Sequence, residues 1–484
     1  MHRLLLILFL VLPWQAHAVP GDAWRADVDV LEQAYTQLHP GLYRYNTPEQ
    51  MQANFAELRR ALAARPDLAG SYLAYSLFAA KVRCGHTYPN FYNQSKTVRQ
   101  ALFEHDRRLP FLFRWLDGRM IVTRNQSSEP ALRPGTEILA IDGIASGEIL
   151  QHLMTIARAD GGNDGKRISQ LEVQGVDEYE AFDIYLPLLY PQIGHRMRLR
   201  LRASGESAPR ELTVEGLTRA QRRERADAGE SDPAAGWRLD FRDDGIAVLQ
   251  TPNWALYDSD FDWKGFLRAS FEQLQARKAK ALVIDLRPNE GGVDVGDVLL
   301  AHLSATPVTM PGYERRTRYR RIPANLKPYL DTWDRRFDDW SEAATPLGDG
   351  FHRLMRDADD KPGYTIAPLA PRFAGKTYVL IGAVNSSATF EFARAVKYTG
   401  VATLVGQTTG GNRRGINGGA FYFLRLPNSG IELDLPLIGQ FPLQDEPDAG
   451  IEPDIRVVAT SADIAAGRDV EMQAILTDLG RTAP

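Results

Sequence analysis

Residues 378–400 constrain the fold more tightly than any other stretch of the chain. The apolar run Tyr378-Val379-Leu380-Ile381-Gly382-Ala383-Val384 reads as a buried strand. A helical pattern opens at Asn385-Ser386-Ser387-Ala388-Thr389-Phe390-Glu391-Phe392 and stops at Gly400. A strand, a tight turn carrying a serine and then a helix form a geometry that exposes a nucleophile. The helix N-terminus also offers unpaired N–H groups and the positive end of a dipole. Both suit an oxyanion forming beside that serine. Asn and Ser are equally ordinary N-caps, so simple capping is the competing reading.

The same alternation recurs from about residue 237 onward. Ile246-Ala247-Val248-Leu249, Ala281-Leu282-Val283-Ile284-Asp285-Leu286 and Ala402-Thr403-Leu404-Val405 read as strands, with a helix carrying Phe266, Phe271 and Leu274 between the first two. Helices between strands predict an α/β core with crossover connections and a largely parallel sheet. Residues 19–107 read as a helical domain, with Val28, Leu31, Ala34, Tyr35 and Leu38 at helix spacing. Residues 108–217 read as a β-rich module: Phe111 to Leu116 and Met120-Ile121-Val122 flank an Asp117-Gly118 turn, and Met197 to Arg202 alternates cleanly. A polar linker is expected over 218–236, then the core over 237–484, interrupted by an insertion at 305–372.

Met1-His2-Arg3, an apolar run from Leu4 to Leu12, and Ala16-His17-Ala18 describe a secretory signal peptide over 1–18, cleaved after Ala18. The expectation is an exported protein, periplasmic or secreted, without stable membrane insertion. Lys and Arg total 57 and Asp and Glu total 61, a net charge of −4 that argues against a nucleic-acid partner. The basic clusters at 222–225 and 315–321 read as solvated faces or linker. A single cysteine, Cys84, excludes an intramolecular disulfide and reads as a packed, inert thiol. No metal-ligand spacing or nucleotide loop is present, so neither metal nor cofactor is expected.

Acyl-transfer chemistry with a serine needs a base, an orienting acid and an oxyanion hole. His86, in Arg83-Cys84-Gly85-His86-Thr87, follows a glycine at the end of a helical stretch, where backbone can approach closely. Asp285-Leu286-Arg287-Pro288-Asn289-Glu290-Gly291-Gly292 lies at the carboxyl end of a buried strand, the usual place for a site in an open α/β sheet. Its paired glycines let amides face a ligand with no Cβ in the way, although a plain turn into the next helix would look the same.

Together these segments resemble the S41 peptidases. The residues that carry the resemblance are Asp285 to Gly292, Ser387-Ala388 with Glu391-Phe392-Ala393, Val405-Gly406-Gln407-Thr408-Thr409-Gly410-Gly411, Gly450-Ile451-Glu452-Pro453-Asp454, and His39-Pro40-Gly41-Leu42-Tyr43. The resemblance implies a ClpP/crotonase-like protease core and a PDZ-like module around Arg133 to Gly143. It also implies a serine endopeptidase acting on peptide or unfolded protein. One branch of the family uses a Ser–Lys dyad, but the lysine slot holds Asn412, followed by Arg413 and Arg414, none of which accepts a proton near neutral pH. The tricorn-like branch uses Ser, His and Glu, which Ser387, His86 in Gly85-His86-Thr87, and Glu446 would supply; Asp448 and Asp445 are the alternative carboxylates. Gly292 and Ala388 would donate the oxyanion-hole amides. The competing readings are a non-catalytic relative that holds a ligand or peptide in the same cleft, and a peptide-tethering scaffold built on the PDZ-like module.

Overall fold

The computed structural model describes residues 23–175, 177–225, 234–310, 312–356 and 363–481. The expected signal peptide and residues 226–233 of the expected linker lie outside these.

A six-stranded sheet carries the segment that leads into Ser387. Its order is Ile455–Arg456, Thr403–Gly406, Lys376–Ile381, Ala281–Asp285, Ile246–Gln250, Arg238–Phe241. Every pairing is parallel except the last. Parallel neighbours need crossovers, and Trp263–Ala276 and Ser387–Thr399 supply two of them. Both faces are covered. Leu282, Ile284, Val379 and Ile381 pack under Phe271, Leu299, Phe390 and Val396, while Val283, Tyr378, Leu380 and Val405 meet Ile475 and Leu476 of the C-terminal helix. This double burial explains the continuous apolar texture of these strands.

Residues 111–215 form an antiparallel sheet whose order is Phe111–Leu116, Arg119–Asn125, Glu137–Ile141, Arg196–Arg202, Arg210–Glu215. Its first hairpin turns at Asp117 and Gly118, with φ of 50° and 75° as a tight two-residue turn requires. The strand Arg196–Arg202 alternates buried and exposed side chains, so its arginines face water and Met197, Leu199 and Leu201 face the core. The stretch 219–225 is not extended linker but a helix, Arg219–Arg225. Arg222 is not solvated either: it is buried against Asp183 at 3.2 Å, with Arg108 3.6 Å from the same carboxylate. One buried acid facing two guanidiniums explains how so basic a helix docks.

The N-terminal segment holds the helices Ala23–Leu38, Pro48–Ala64, Leu68–Val82 and Lys96–Leu102. Thr47 and Gln50 form a capping box at the second. The expected insertion also contributes to a second six-stranded sheet, in the order Leu330–Asp331, Asn417–Arg425, Glu432–Pro442, Tyr313–Thr317, His352–Leu354, Ala344–Pro346. Apolar residues of the N-terminal helices, the middle sheet and this second sheet form one cluster, reaching from Trp24 to Ile438.

Candidate active site

Ser387 is the first residue of the helix Ser387–Thr399 and holds φ at +50°. A non-glycine residue in that region is a strained arrangement of the kind found where a strand turns sharply into a helix. The surrounding bonds impose it. Asn385, fully buried, donates to the carbonyls of Leu286 at 2.5 Å and Asn289 at 2.8 Å and accepts from the Gly382 amide at 2.7 Å. Ser386 occupies the N-cap position without capping: its hydroxyl donates to the Glu290 carbonyl at 3.1 Å. Thr389 Oγ1 reaches the Asn289 carbonyl at 3.2 Å. The Ser387 turn and the Gly-Gly turn are thus tied at four points.

Two glycines there are required by space. Gly291 and Gly292 hold φ of 122° and 144°. A Cβ on Gly291 would stand 2.8 Å from the Ser386 carbonyl and 3.0 Å from Ser387 Cβ, and one on Gly292 would overlap the Trp254 carbonyl. The Gly291 amide is taken by Asn289 Oδ1 at 2.9 Å. Among the described residues the amides of Gly292 and Ala388 have no protein acceptor. They are the pair expected for an oxyanion hole.

His86 follows the helix Leu68–Val82, which ends because Arg83 adopts a left-handed conformation. Its loop is fixed from several sides. The Gly85 amide donates to Asp160 Oδ1 at 2.9 Å, and Arg158 binds the Gly85 carbonyl. Thr87 Oγ1 bonds His39 Nε2 at 2.8 Å. Because the Gly41 amide donates to His39 Nδ1 at 3.0 Å, His39 is held as the neutral Nε2–H tautomer. Burial lowers the His39 pKa to about 3, with Arg44 acting the same way.

Arg158 also reaches Glu290 at 3.5 Å, which links the His86 loop to the Gly-Gly turn. Lys166 reinforces that link. Its side chain is only 3% exposed, and its ammonium donates to Glu290 Oε1 at 2.7 Å and to the Val384 carbonyl at 2.8 Å. Burial would raise the Glu290 carboxyl, but Lys166 and Arg158 hold it down at about 2. Burial lowers the His86 imidazole below its ordinary value; Asp160 opposes this, Arg158 and Lys166 add to it, and Glu290 opposes it. Arg158 thus ties the His86 loop to the Glu290–Gly291 turn, which lies against Ser387. Among the described residues no hydrogen bond joins His86 to Ser387, and His86 Nδ1 is buried without a partner. Catalytic hydrogen bonds are often open before substrate binds.

Among the described residues no hydrogen bond joins His86 to any of the three candidate carboxylates. Glu446 pairs with Arg413 at 2.7 Å. Asp448 accepts from the Gly162 amide at 2.9 Å and from Asn412 at 2.7 Å, and Asp445 is exposed. The carboxylate that acts most strongly on His86 is Asp160, which sequence reasoning missed. Its signal was an acidic residue directly before Gly161-Gly162. Lys166 gave no local signal. Cys84 is buried, and burial followed by Asp160 pushes its thiol up to about 11, so it stays protonated.

Residues 245–457 match the model of Peptidase family S41. No curated protein matches the chain. Among solved structures, mature CPAF complexed with lactacystin is 16% identical, with a TM-score of 0.63 over 95% of this chain and 98% of that one. Mature CPAF is also 16% identical, with a TM-score of 0.60 over 95% and 97%. At this identity the likeness establishes the fold alone. The tricorn protease is 15% identical over 94% of this chain and 36% of its own, with a TM-score of 0.35. The matched segment contains both the Gly-Gly turn and the Ser387 helix, and it is this segment of the chain that is similar to peptidase family S41.

Proposed function

We propose that the protein is an exported serine endopeptidase that cleaves peptide or unfolded protein substrates through an acyl-enzyme. The observation that carries this reading is Ser387 at φ +50° on a helix N-terminus, with the Gly291-Gly292 turn against it. In the first step the Ser387 hydroxyl attacks the scissile carbonyl while its proton passes to His86. The amides of Gly292 and Ala388 bind the oxyanion, each contributing about 3 kcal/mol to the transition state. Collapse breaks the C–N bond, and His86 gives its proton to the leaving amine. Water, deprotonated by His86, then hydrolyses the ester and regenerates Ser387.

Asp160 is the carboxylate that stabilises the imidazolium electrostatically in the arrangement described. Glu446 would join only after releasing Arg413 and reaching Nδ1. The unpartnered Nδ1 is also what a ligand-binding relative without catalysis would show. Labelling with a fluorophosphonate separates the two. An adduct mapped to Ser387, and lost in Ser387→Ala and His86→Ala, is the expected result. A folded wild type that never labels would favour the binding reading. An export assay with residues 1–18 fused to a reporter tests the signal peptide.

A further inference from the structure

The strand Asn417–Arg425 passes directly beside the candidate base. A Cβ added at Gly418 would lie 3.9 Å from His86 Cε1, and the Phe421 ring centroid is 5.8 Å from that of His86. One edge of this strand pairs with Glu432–Pro442 at Asn417-Gly418 and again from Phe421 to Arg425, with a bulge at Gly419-Ala420 between. On the other edge Leu330–Asp331 pairs only with Leu424 and Phe423. Among the described residues, the edge from Gly418 to Tyr422 has no strand partner. The chain leaves that edge after Asp331, where the Thr332 amide turns back to Asp331 Oδ1 at 2.9 Å.

Trp333 then folds over the strand. Its ring centroid lies 6.0 Å from Phe421, 5.9 Å from Phe423 and 5.4 Å from Phe337, yet the residue remains 61% exposed. An aromatic shelf thus runs from His86 along an open strand edge. A strand edge without a strand partner beside an aromatic surface, with Gly419 exposed on it, matches the recognition of an extended peptide by strand addition, in which the main chain gives affinity and the side chains give selectivity.

We propose that this edge and shelf form the substrate-binding surface, and that Trp333, Phe421 and Phe423 select a large apolar or aromatic side chain close to the scissile bond. This rests on the peptidase reading above for the occupant, a peptide substrate. Continuity with His86 is what assigns the surface to substrate rather than to a second copy of the chain. Trp333, in contact with both phenylalanine rings and 61% exposed, extends the shelf on which the selected side chain rests.

The test separates binding from turnover. In the Ser387→Ala background, fluorescence anisotropy compares a short labelled peptide carrying a central Phe with the same peptide carrying Ala. The Phe peptide is expected to bind about tenfold more tightly. Trp333→Ala should erase that preference and Trp333→Phe should restore most of it. Failure of either peptide to bind, or a preference unchanged by Trp333→Ala, would overturn the proposal. If the preference holds but the intact chain cleaves neither peptide, the surface stands and the peptidase reading falls.

Discussion

At the scale of single residues, the site depends on the charges around His86 and on the glycines facing Ser387. Since burial lowers the His86 pKa, the acid limb of the labelling-rate profile should lie below the ordinary imidazole range. Asp160→Asn removes the charge that opposes this shift and should move the limb to lower pH. Lys166→Met removes a charge that promotes it and should move the limb to higher pH. Measuring labelling rate against pH for the three proteins checks both signs, and movement in the same direction would remove Asp160 from the role assigned to it. Gly291→Ala places a methyl against Ser387 and Ala388 and forces an unfavourable φ. Its labelling rate should fall roughly a hundredfold, the scale of a disturbed oxyanion hole, while its melting curve shows that it folds. His39 offers a different pH effect. Its pKa is about 3 in the folded chain against an ordinary 6.5, so the unfolded chain binds the extra proton first as pH falls. His39 therefore contributes stability that is present above pH 6.5 and is lost as pH falls toward 3, at about 1.4 kcal/mol per pH unit. Denaturant midpoints for wild type and His39→Gln should converge across that window as pH is lowered.

At the scale of elements, what was legible in the sequence was what is local. Strand, turn and helix around Ser387 follow one another directly, and their apolar pattern reflects a sheet buried on both faces. The Asp117-Gly118 hairpin and the N-terminal helices were readable for the same reason. The sheet that pairs Tyr313–Thr317 with Glu432–Pro442 was not, because its partners lie more than a hundred residues apart and nothing in either strand names the other. Glu446 illustrates the same limit at the site. Its residue type suited a triad, but Arg413 is the partner the fold supplies, and Asp160 comes to His86 from the loop between the helices Ser146–Met154 and Asp164–Gln170, whose placement the sequence does not encode locally. Lys166 shows how such placement is held. It joins the helix Asp164–Gln170 to both the Gly-Gly turn and the end of the nucleophile strand. Lys166→Met leaves the Val384 carbonyl without its partner and releases one bond to Glu290, whose side chain is 50% exposed and partly rehydrated. A loss of about 2 kcal/mol is expected, read as a lower urea midpoint at unchanged slope.

At the scale of the whole molecule, the proposed base and the proposed nucleophile belong to segments with different cores. His86 sits in the part whose apolar residues merge from Trp24 to Ile438, whereas Ser387 sits on the parallel sheet with its own two clusters. The site forms where these cores meet, and polar residues bridge them: Arg158 and Lys166 to Glu290, and Asn163 to the carbonyls of Thr409 and Gly411, both at 2.9 Å. The middle sheet is bound differently to the N-terminal helices, through apolar and aromatic contacts. Phe91 meets Tyr185 at 5.7 Å and Phe103 meets Tyr179 at 5.6 Å. Arg108 and Arg222, just outside the sheet, share the buried Asp183. A sheet whose helices bury their apolar faces against another segment exposes those faces when cut away, and the lost burial is on the order of 1.5–3 kcal/mol for each large side chain. The fragment 108–217 should therefore show strand signal without a cooperative thermal transition, while a fragment spanning 23–225, which keeps Phe91, Phe103, Arg108 and Arg222, should melt cooperatively. A sharp transition in the shorter piece, followed by circular dichroism and calorimetry, would mean that the middle sheet is an independent module and that its contacts to the N-terminal helices are docking rather than shared core.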